Sequence, residues 1–600
     1  MNLIVDIETD GLYDSVTKVH CIAMTVQGAR AGQVFANEEG YDNLQEALEL
    51  MSRAESLTGH NLIGYDLPVL KKILGWSPPK SVKIIDTLVL SRLINTNLYE
   101  KDVKDNLIVT PKLLGSHSLE AWGQRLGLLK GDYGKTTDWK EFTRDMADYC
   151  IKDTLVTALL LDYFQGLEYS EEAMDLEHKF ATVMQRQMQY GIGFNVHKAK
   201  ELYVKLLQRK EELGKRLRDS FGSWYVYKGE CIPKVGNKKR GTSTGSQYSK
   251  IEKVDFNPNS RPHIARCLKV FGWEPKQFTP GGAPQIDETI LKPLKLPNID
   301  ELVEHFLVAK RVSQLAEGDN AWLKHERSGR IFGYINTNGA VTGRCTHSSP
   351  NLAQVPASYS PYGSECRGLF RADKGNVLVG CDADGLELRA LAGYMKRYDG
   401  GKYCEAAISG DKNKGTDIHS INKNALGIED RDIAKTWFYA FIYGAGDGKL
   451  GTILSKGPKA GKSSRDKFLS NVTGLSTLTE KVKQTFRRRG YLNGLDGRKL
   501  HVRSEHSALN TLLQSAGAII MKKALVLLDE RLQLVGLIPG EDYEFVANIH
   551  DEWQIECTKK YARTIGLHSE EALGRAGEYY EFGCAISGTS QTGPDWSQTH

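Results

Sequence analysis

The stretch NVLVGCDADGLELRALAGY, residues 376–394, passes from an apolar run ending on an acid into an amphipathic pattern within a few residues. Residues 376–382 read as a strand that delivers Asp382 at its carboxyl end, and a helix begins near Gly385. A charged side chain in an otherwise buried strand is costly unless it is paired or bound to a metal. Something elsewhere in the chain must balance Asp382.

FVANIHDEWQIEC, residues 545–557, supplies a counterpart: two short apolar runs separated by His550, Asp551 and Glu552, which predicts a β-hairpin with adjacent acids at its tip. Asp382 and Asp551 together have the chemistry to hold two Mg²⁺ ions about 3.5–4 Å apart for in-line nucleotidyl transfer. Taken singly, either segment also reads as a tight turn carrying solvated acids. Between them lies RDIAKTWFYAFIYGAG, residues 431–446, with Asp430 as N-cap and Gly444 and Gly446 at the far end. Arg431, Lys435, Tyr439 and Tyr443 recur at intervals of four. Each such step drifts about 40° on a helix, so the four cover roughly 120° of one face. On that face Arg431 and Lys435 suit a triphosphate, Tyr439 a sugar and base, and Tyr443 a templating position. A solvated basic turn followed by a buried aromatic turn, with Trp437, Phe438 and Phe441 as core, is the plainer alternative.

Near the other end, VDIETD (residues 5–10) places Asp6 and Glu8 two apart on a predicted strand, hence on one face. HNLIGYDLPVL (60–70) offers Asp66, and DYCIKD (148–153) sets Tyr149 and Asp153 one helical turn apart. Four acids and a phenol suit two Mg²⁺ or Mn²⁺ ions that activate a water against a phosphodiester, with Tyr149 orienting the nucleophile. For the first motif alone, surface acids at a strand end are an equal alternative.

Length and composition frame these motifs. At about 150 residues per domain, 600 residues predict roughly three to five units, and 40% hydrophobic with 26% charged residues is an ordinary globular composition. The formal net charge of +5 permits nucleic-acid binding without arguing for it. The local runs KKR (238–240) and RRR (487–489) fit phosphate contacts or solvated loops equally well. Ten cysteines without a C-x-x-C pair fit a reducing cytoplasm, and no run approaches the ~18 apolar residues needed to span a bilayer. Residues 1–165 alternate apolar runs with helical stretches, as in an α/β domain, and 166–223 are helical. Residues 228–253, rich in Gly, Ser, Thr and Lys, have too little apolar content to fold alone and are expected to form a mobile basic loop. The two acidic strands frame a helical region near 400–535.

In this order the three N-terminal motifs resemble the ribonuclease H-like proofreading 3′–5′ exonucleases with four acids and a tyrosine (DEDDy). Asp86 in IIDTLVLSRL also matches that pattern and is taken as structural. NGAVTGRCTHSSPNLAQVP (338–356), DADGLELR (382–389), DIHS (417–420), RDIAKTWFYAFIYGAG, GLDGRKLHVRSEHSALNTLLQSAGA (494–518) and IHDE (549–552) carry the resemblance further. The chain resembles the family A (Pol I-like) DNA polymerases nearly end to end, and within them the T-seven type of short-tailed phage replicative polymerase. That implies an α/β multidomain right-hand fold: exonuclease 1–165, thumb 166–330 with a short basic insert at 228–253, palm 331–400 and 536–600, and fingers 401–535.

By resemblance, Asp382, Asp551 and the backbone carbonyl of Ala383 bind the polymerase metals, and Glu552 supports that site. Asp6, Glu8, Asp66 and Asp153 bind the exonuclease metals. The implied cofactor is Mg²⁺, two ions at each site, with Mn²⁺ as a substitute. His419, Arg431 and Lys435 match contacts to the nucleotide phosphates, with Tyr439 and Tyr443 on the same fingers helix. Glu387 matches the acid that, with Tyr439, walls off a ribose 2′-hydroxyl. Arg344 and Gln514 match minor-groove readers of the primer-template end, with Asn351, Gln354, Asn510 and His550 nearby. Minor-groove acceptors occupy similar places in all base pairs, so donors there check pair geometry and tolerate any sequence.

The implied partners are primer-template DNA, deoxynucleoside triphosphates and a single-stranded 3′ end, with a helicase-primase and a single-strand binding protein as further candidates. The expected setting is a monomer in the host bacterial cytoplasm, off the membrane. The T-seven type carries a longer thumb insert that docks host thioredoxin. Residues 228–253 are much shorter, so thioredoxin is not carried over, and Lys238, Lys239 and Arg240 are expected to touch duplex phosphate. Ala440 stands where the family usually has glycine. GPKAGKS (457–463) resembles a phosphate-cradling loop, but three residues separate its glycines where four are needed, and it is discarded. The exonuclease begins at residue 3, so no 5′-nuclease domain is expected. A phage-type single-subunit RNA polymerase and an inactive primer-template binding protein are the rivals. The exonuclease motifs and the Glu387–Tyr439 wall oppose the first, and the full set of acids opposes the second.

Overall fold

The apolar run Leu3–Val5 continued by Ile7 makes NLIVDIET a strand buried on both faces, β1 (Asn2–Thr9), at the centre of a five-stranded sheet. With β2 (Val19–Val26), β3 (Gln33–Phe35), β4 (Ser56–Gly59) and β5 (Lys83–Asp86) the order is β3-β2-β1-β4-β5. The β3–β2–β1 side is antiparallel and the β1–β4–β5 side is parallel. Helix α1 (Arg144–Gln165), capped by the Thr143 side chain on the Met146 amide, packs on β1 and β2. The structure, a computed structural model, describes residues 1–108, 110–129 and 133–600, without the side chains of Lys135, Thr136 and Arg240. The phosphate contact expected of Arg240 therefore lies outside the described residues.

The chain divides into two compact units, one of Met1–Ile192, Phe332–Gln354 and Arg371–His600, the other of Gly193–Ile331 and Val355–Phe370. This differs from a thumb beginning at residue 166. Helix α2 (Glu171–Tyr190) lies in the first unit because its Leu176, Phe180, Val183 and Met184 enter that unit's main core. Arg186 on the same helix is ion-paired with Asp529 and Glu544.

The second unit pairs α3 (Val196–Phe221) with α5 (Ile299–Val312), clipped by Arg209 at 2.7 and 2.8 Å from the two Glu304 oxygens. Between α3 and α4 (Arg261–Val270) the expected mobile loop is instead a two-stranded antiparallel ribbon, β6 (Ser223–Cys231) with β7 (Tyr248–Asp255). Its low apolar content reflects exposure of both faces along most of its length. Its base is fixed by Trp224, set against His263 with ring centroids 4.9 Å apart, and by buried Phe256.

In the first unit, β8 (Asn376–Ala383) is an inner strand of a wholly antiparallel sheet of order β9-β10-β8-β11. The other strands are β9 (Tyr543–Ile549), β10 (Glu552–Thr558) and β11 (Gly588–Gly593). Between β8 and β9 the chain builds a helical subdomain that includes α6 (Leu386–Asp399), α7 (Ile418–Leu426), α8 (Arg431–Ile442), α9 (Pro458–Asn471) and the long α10 (Ala508–Leu534). Among the described residues one helical stretch, Glu505–Leu534, is long and apolar enough to cross a membrane, but 83% of its apolar window is buried inside the protein. It serves two cores: Ile519, Ile520, Leu525 and Leu528 pack with the sheet, and Leu512, Leu513 and Ala516 with the helical subdomain.

The subdomain core is aromatic. Trp437 stacks on Phe441 with centroids 5.4 Å apart, and Phe468 of α9 meets Trp437, Phe438 and Phe441 at 5.1, 6.0 and 5.4 Å. Gly461 of the discarded GPKAGKS loop is accounted for here, because a Cβ would collide with the Asp447 carbonyl oxygen. All ten cysteines are unpaired and eight are buried, as small core residues. Phe468→Ala is expected to cost about 3–5 kcal/mol through the cavity it leaves. Hydrogen exchange should then show α8 and α9 losing protection while β8–β10 keep theirs.

Candidate active sites

Register brings the acids of the antiparallel sheet together. Asp382 lies directly across from Glu552, and the Ala383 amide donates to the Asp551 carbonyl at 2.9 Å. His550, at φ 56°, and Asp551 form the turn joining β9 to β10. Burial, with the neighbouring Asp551 and Glu552 carboxylates, pushes Asp382 up to about 7. Burial and Glu387 push Asp551 up to about 6. Glu552 is different: its Oε1 accepts from Gln554 Nε2 at 2.7 Å and from Trp596 Nε1, and its Oε2 lies 3.1 Å from His600 Nδ1. Its carboxylate is anchored by these three side chains.

The face of α8 emerges as the four-residue spacing predicts. Ala434, Trp437, Phe438, Phe441 and Ile442 are buried, leaving Arg431, Lys435 and Tyr439 on the other side, with Tyr443 as C-cap. Asp430 caps the helix by accepting from the Asp432 and Ile433 amides. Arg431 Nη2 donates at 2.6 Å to Asp417, which also caps α7 through the His419 amide. His419 lies 6.0 Å from Tyr439, ring to ring, and its pKa is lowered by burial and then by Arg431 and Lys435. Tyr439 and Tyr443 stack at 6.4 Å. Ala440 is half-buried against the subdomain core, so the fold accommodates its methyl group. Gly444, at φ 78°, sits where a Cβ would press on Asn510 Nδ2.

Glu387, at the start of α6, ties these parts together. Its Oε1 accepts from Tyr443 OH and from Arg344 Nη2, both at 2.8 Å. The resemblance sets Glu387 and Tyr439 together as a wall against a ribose 2′-hydroxyl; the hydrogen bond of Glu387 on this helix goes to Tyr443, one turn on. Arg344 and His550 share a cleft lined also by Phe180, Asn548, Ala518 and Lys522. Asn510, Gln514, Ala518 and Lys522 follow at intervals of four along α10. Asn351 accepts from the Ala353 amide, and Gln354 follows one short turn later.

Lys522 is a residue that sequence reasoning missed. Its Nζ donates to Glu177 at 2.6 Å, to the Thr337 carbonyl at 2.8 Å and to Asn338 at 3.2 Å. Arg498, 2.8 Å from the same Glu177 and paired with Asp496, also reaches Asn338. All four charged groups are buried, and together they pin the loop that carries Arg344. The available signal was a lysine inside the apolar run AIIMKKALVLL.

In the five-stranded domain, Asp6 and Glu8 lie on one face of β1 beside Cys150 of α1, with ligand atoms all within 4.8 Å of one another. The Cys150 thiol, its pKa raised by burial, donates to the Asp6 carbonyl at 3.4 Å and to its carboxylate at 3.5 Å. Asp66 and Asp153 are buried, and burial followed by the Asp6 charge raises the pKa of Asp66. Tyr149 lies among Tyr133 and Trp139. Asp86 accepts from the Asn61, Ile63 and Leu88 amides and so braces the turn that presents Asp66, the structural part expected of it.

A family model described as DNA polymerase family A matches residues 236–598, and one described as the RNase H superfamily matches residues 3–165. The chain belongs to DNA polymerase family A. It is 37% identical to the DNA-directed DNA polymerase of Enterobacteria phage T3 and 36% identical to that of Escherichia phage T7, with 100% of each chain covered. A solved structure, the POL domain of Pol1 from M. smegmatis in complex with DNA primer-template and dNTP, matches in fold with a TM-score of 0.74 at 15% identity. That match covers 99% of this chain and 95% of the other. The architecture is an RNase H-like domain followed by a family A polymerase domain, and neither rival is supported.

Family A polymerases and RNase H-like nucleases use divalent metals, typically Mg²⁺, and both acidic sites fit such an ion. Their donors are hard carboxylate oxygens, partly or fully buried and pushing one another's pKa upward, an arrangement that a cation relieves. Because Asp382 and Asp551 titrate higher in the fold than in the unfolded chain, their contribution to stability is present at low pH. It is lost as pH rises through about 6 to 7. In metal-free protein, added Mg²⁺ should therefore raise Tm more at pH 8 than at pH 5.5, and Asp382→Asn should shrink that difference.

Proposed function

We infer that this family A enzyme extends a primer along a DNA template at Asp382 and Asp551 and trims mispaired 3′ ends at Asp6, Glu8, Asp66 and Asp153. The observation that carries the reading is Glu387. Its carboxylate joins Arg344 of the primer-template loop to Tyr443 of the nucleotide helix and raises the pKa of Asp551 beside it. Nucleotide, template and reacting acids thereby converge on one place.

In this reading the second unit is the thumb, the β8–β11 sheet the palm and the intervening helices the fingers. Two divalent ions at each site, when bound, would make the primer 3′-oxygen or a water nucleophilic and counter charge on the phosphate. Asp382, Asp551 and the Ala383 carbonyl would hold them in the palm, and Glu552, gripped by Trp596 and Gln554, would keep the strand ends in register. Arg431, oriented by Asp417, and His419 would grip the triphosphate while Lys435 neutralises the departing pyrophosphate. Tyr439 would lie against the sugar and base, and Tyr149 would orient the attacking water at the exonuclease site. Arg344, Gln514, Asn510, Asn351, Gln354 and His550 would test the geometry of the terminal pair. Phage replication in the host cytoplasm, beside a helicase-primase and a single-strand binding protein, is the setting this implies.

Asp382→Ala should abolish primer extension and leave degradation of single strands intact, whereas Asp6→Ala with Glu8→Ala should do the reverse. Loss of both activities from either change in a folded protein would refute two separate sites. Glu387→Ala should lower discrimination against ribonucleotides by about tenfold or more, read as the ratio of kcat/KM for deoxy- and ribonucleotides.

A further inference from the structure

Three aromatic rings gather on the helix that carries Cys150 and Asp153. Tyr149 of α1 meets Tyr133 with ring centroids 5.5 Å apart and Trp139 at 6.3 Å, and Tyr133 lies 6.0 Å from Trp139. The rings of each pair are inclined by 40° to 81°, so no pair is stacked face to face. All three are half-buried. Rings that serve only as core are closed off, as Trp122 is against Phe164 in the same domain, at 2% exposure. Here flat apolar surface stays open next to Cys150, whose sulfur lies within 4.8 Å of the Asp6 and Glu8 oxygens.

The strap that carries Trp139, residues 137–143, is held from three sides. The β1–β2 pairing slips between Glu8, opposite Cys21, and Thr9, opposite Val19, which leaves His20 as an extra residue in β2. Bulges beside active sites re-aim side chains. This one sends buried His20 to the strap, where its Nε2 donates to the Trp139 carbonyl at 2.8 Å. Phe142 meets Tyr41 edge to face at 5.3 Å. Thr143, the N-cap of α1, shares a 2.8 Å hydrogen bond with Tyr133 OH.

We propose that Trp139, bracketed with Tyr133 around Tyr149, stacks the unpaired bases of a DNA 3′ end at this site, and that His20 is the residue that positions it. The inference rests on the exonuclease reading. Every nucleobase has a π-face, so an aromatic shelf holds a strand end of any sequence. A mispaired end offers unstacked bases at little cost, whereas a paired end must first give up its own pairing and stacking. The shelf therefore favours mispaired ends before any bond is cut. The acids, which in that reading meet only phosphate and metal, supply no such preference.

The test compares Trp139→Ala, Trp139→Phe, His20→Leu and His20→Gln with wild type on two single-stranded oligonucleotides, one complete and one abasic at its two 3′-terminal nucleotides. The readout is the ratio of kcat/KM for degradation of the two strands. Stacking on an aromatic ring contributes about tenfold per base, so wild type should favour the complete strand by about that factor or more. Trp139→Ala should bring the ratio close to one, by raising KM for the complete strand while kcat and the abasic strand are unaffected. Trp139→Phe should retain most of the preference, as should His20→Gln, which keeps a donor for the Trp139 carbonyl. His20→Leu should lose it. With metal chelated, 2-aminopurine at the 3′ end should be quenched on binding to wild type and not on binding to Trp139→Ala. Primer extension should stay at the wild-type level in all four variants. Equal loss on both strands in Trp139→Ala, or a ratio that it leaves unaltered, would overturn the shelf. A wild type that quenches 2-aminopurine through Trp139 yet degrades neither strand would count against the exonuclease reading and support the stacking.

Discussion

Everything in the polymerase half depends on holding like-charged carboxylates together at the buried edge of an antiparallel sheet. Asp382 and Asp551 reach that edge because β8 pairs with β10 in a register that the Ala383 amide closes onto the Asp551 carbonyl. Mutual repulsion and lost hydration oppose the arrangement, which is why both groups titrate well above ordinary carboxyls. The sheet tolerates this because Trp553, Ile555, Val379 and Cys381 bury a large apolar area behind the acids. Glu552, the third carboxylate of the group, is taken up by hydrogen bonds to Trp596 and Gln554. A site that is electrostatically unfavourable alone is one that gains most from binding a divalent cation.

A second constraint fixes the substrate-facing parts against that edge. Helix α2 reaches in two directions. Its His178 and Gln185 accept from and donate to the backbone of Asp86 and Gly64 in the RNase H-like domain. Its Glu177 balances Lys522 and Arg498 under the Arg344 loop. A buried charge with a single partner is a weak source of stability, but four interlocked charges admit few alternative arrangements and so specify one loop position. Glu387 then transmits that position to Tyr443 through one oxygen.

Much of this was legible in the chain. Period-two acids in VDIETD, the apolar–acid–apolar pattern around His550 and the four-residue spacing in α8 each reflect a local periodicity that the backbone enforces. Each appears in the structure as a strand, a hairpin and a helix face. Residues 228–253 were less legible because a two-stranded ribbon exposed on both faces lacks the apolar alternation that marks a half-buried strand. The first helix after the RNase H-like domain is amphipathic in either partition, so its pattern could not say which core its apolar face enters. Lys522 and Glu177, 345 positions apart, carry no mutual signal in one sequence.

The sequence by itself determined the elements, the two acidic groups and the nucleotide-facing helix, because those depend on spacing along 2.0- and 3.6-residue periods. Tertiary structure decided the rest. It gave Glu387 a hydrogen bond to Tyr443 and turned Glu552 into an anchored support. Among the described residues it paired Lys228 and Lys253 of the ribbon and left Lys234, Lys238, Lys239 and Lys250 without ion-pair partners. These outcomes depend on which side chains from distant segments compete for one oxygen or one patch of solvent, and only the folded packing sets that competition.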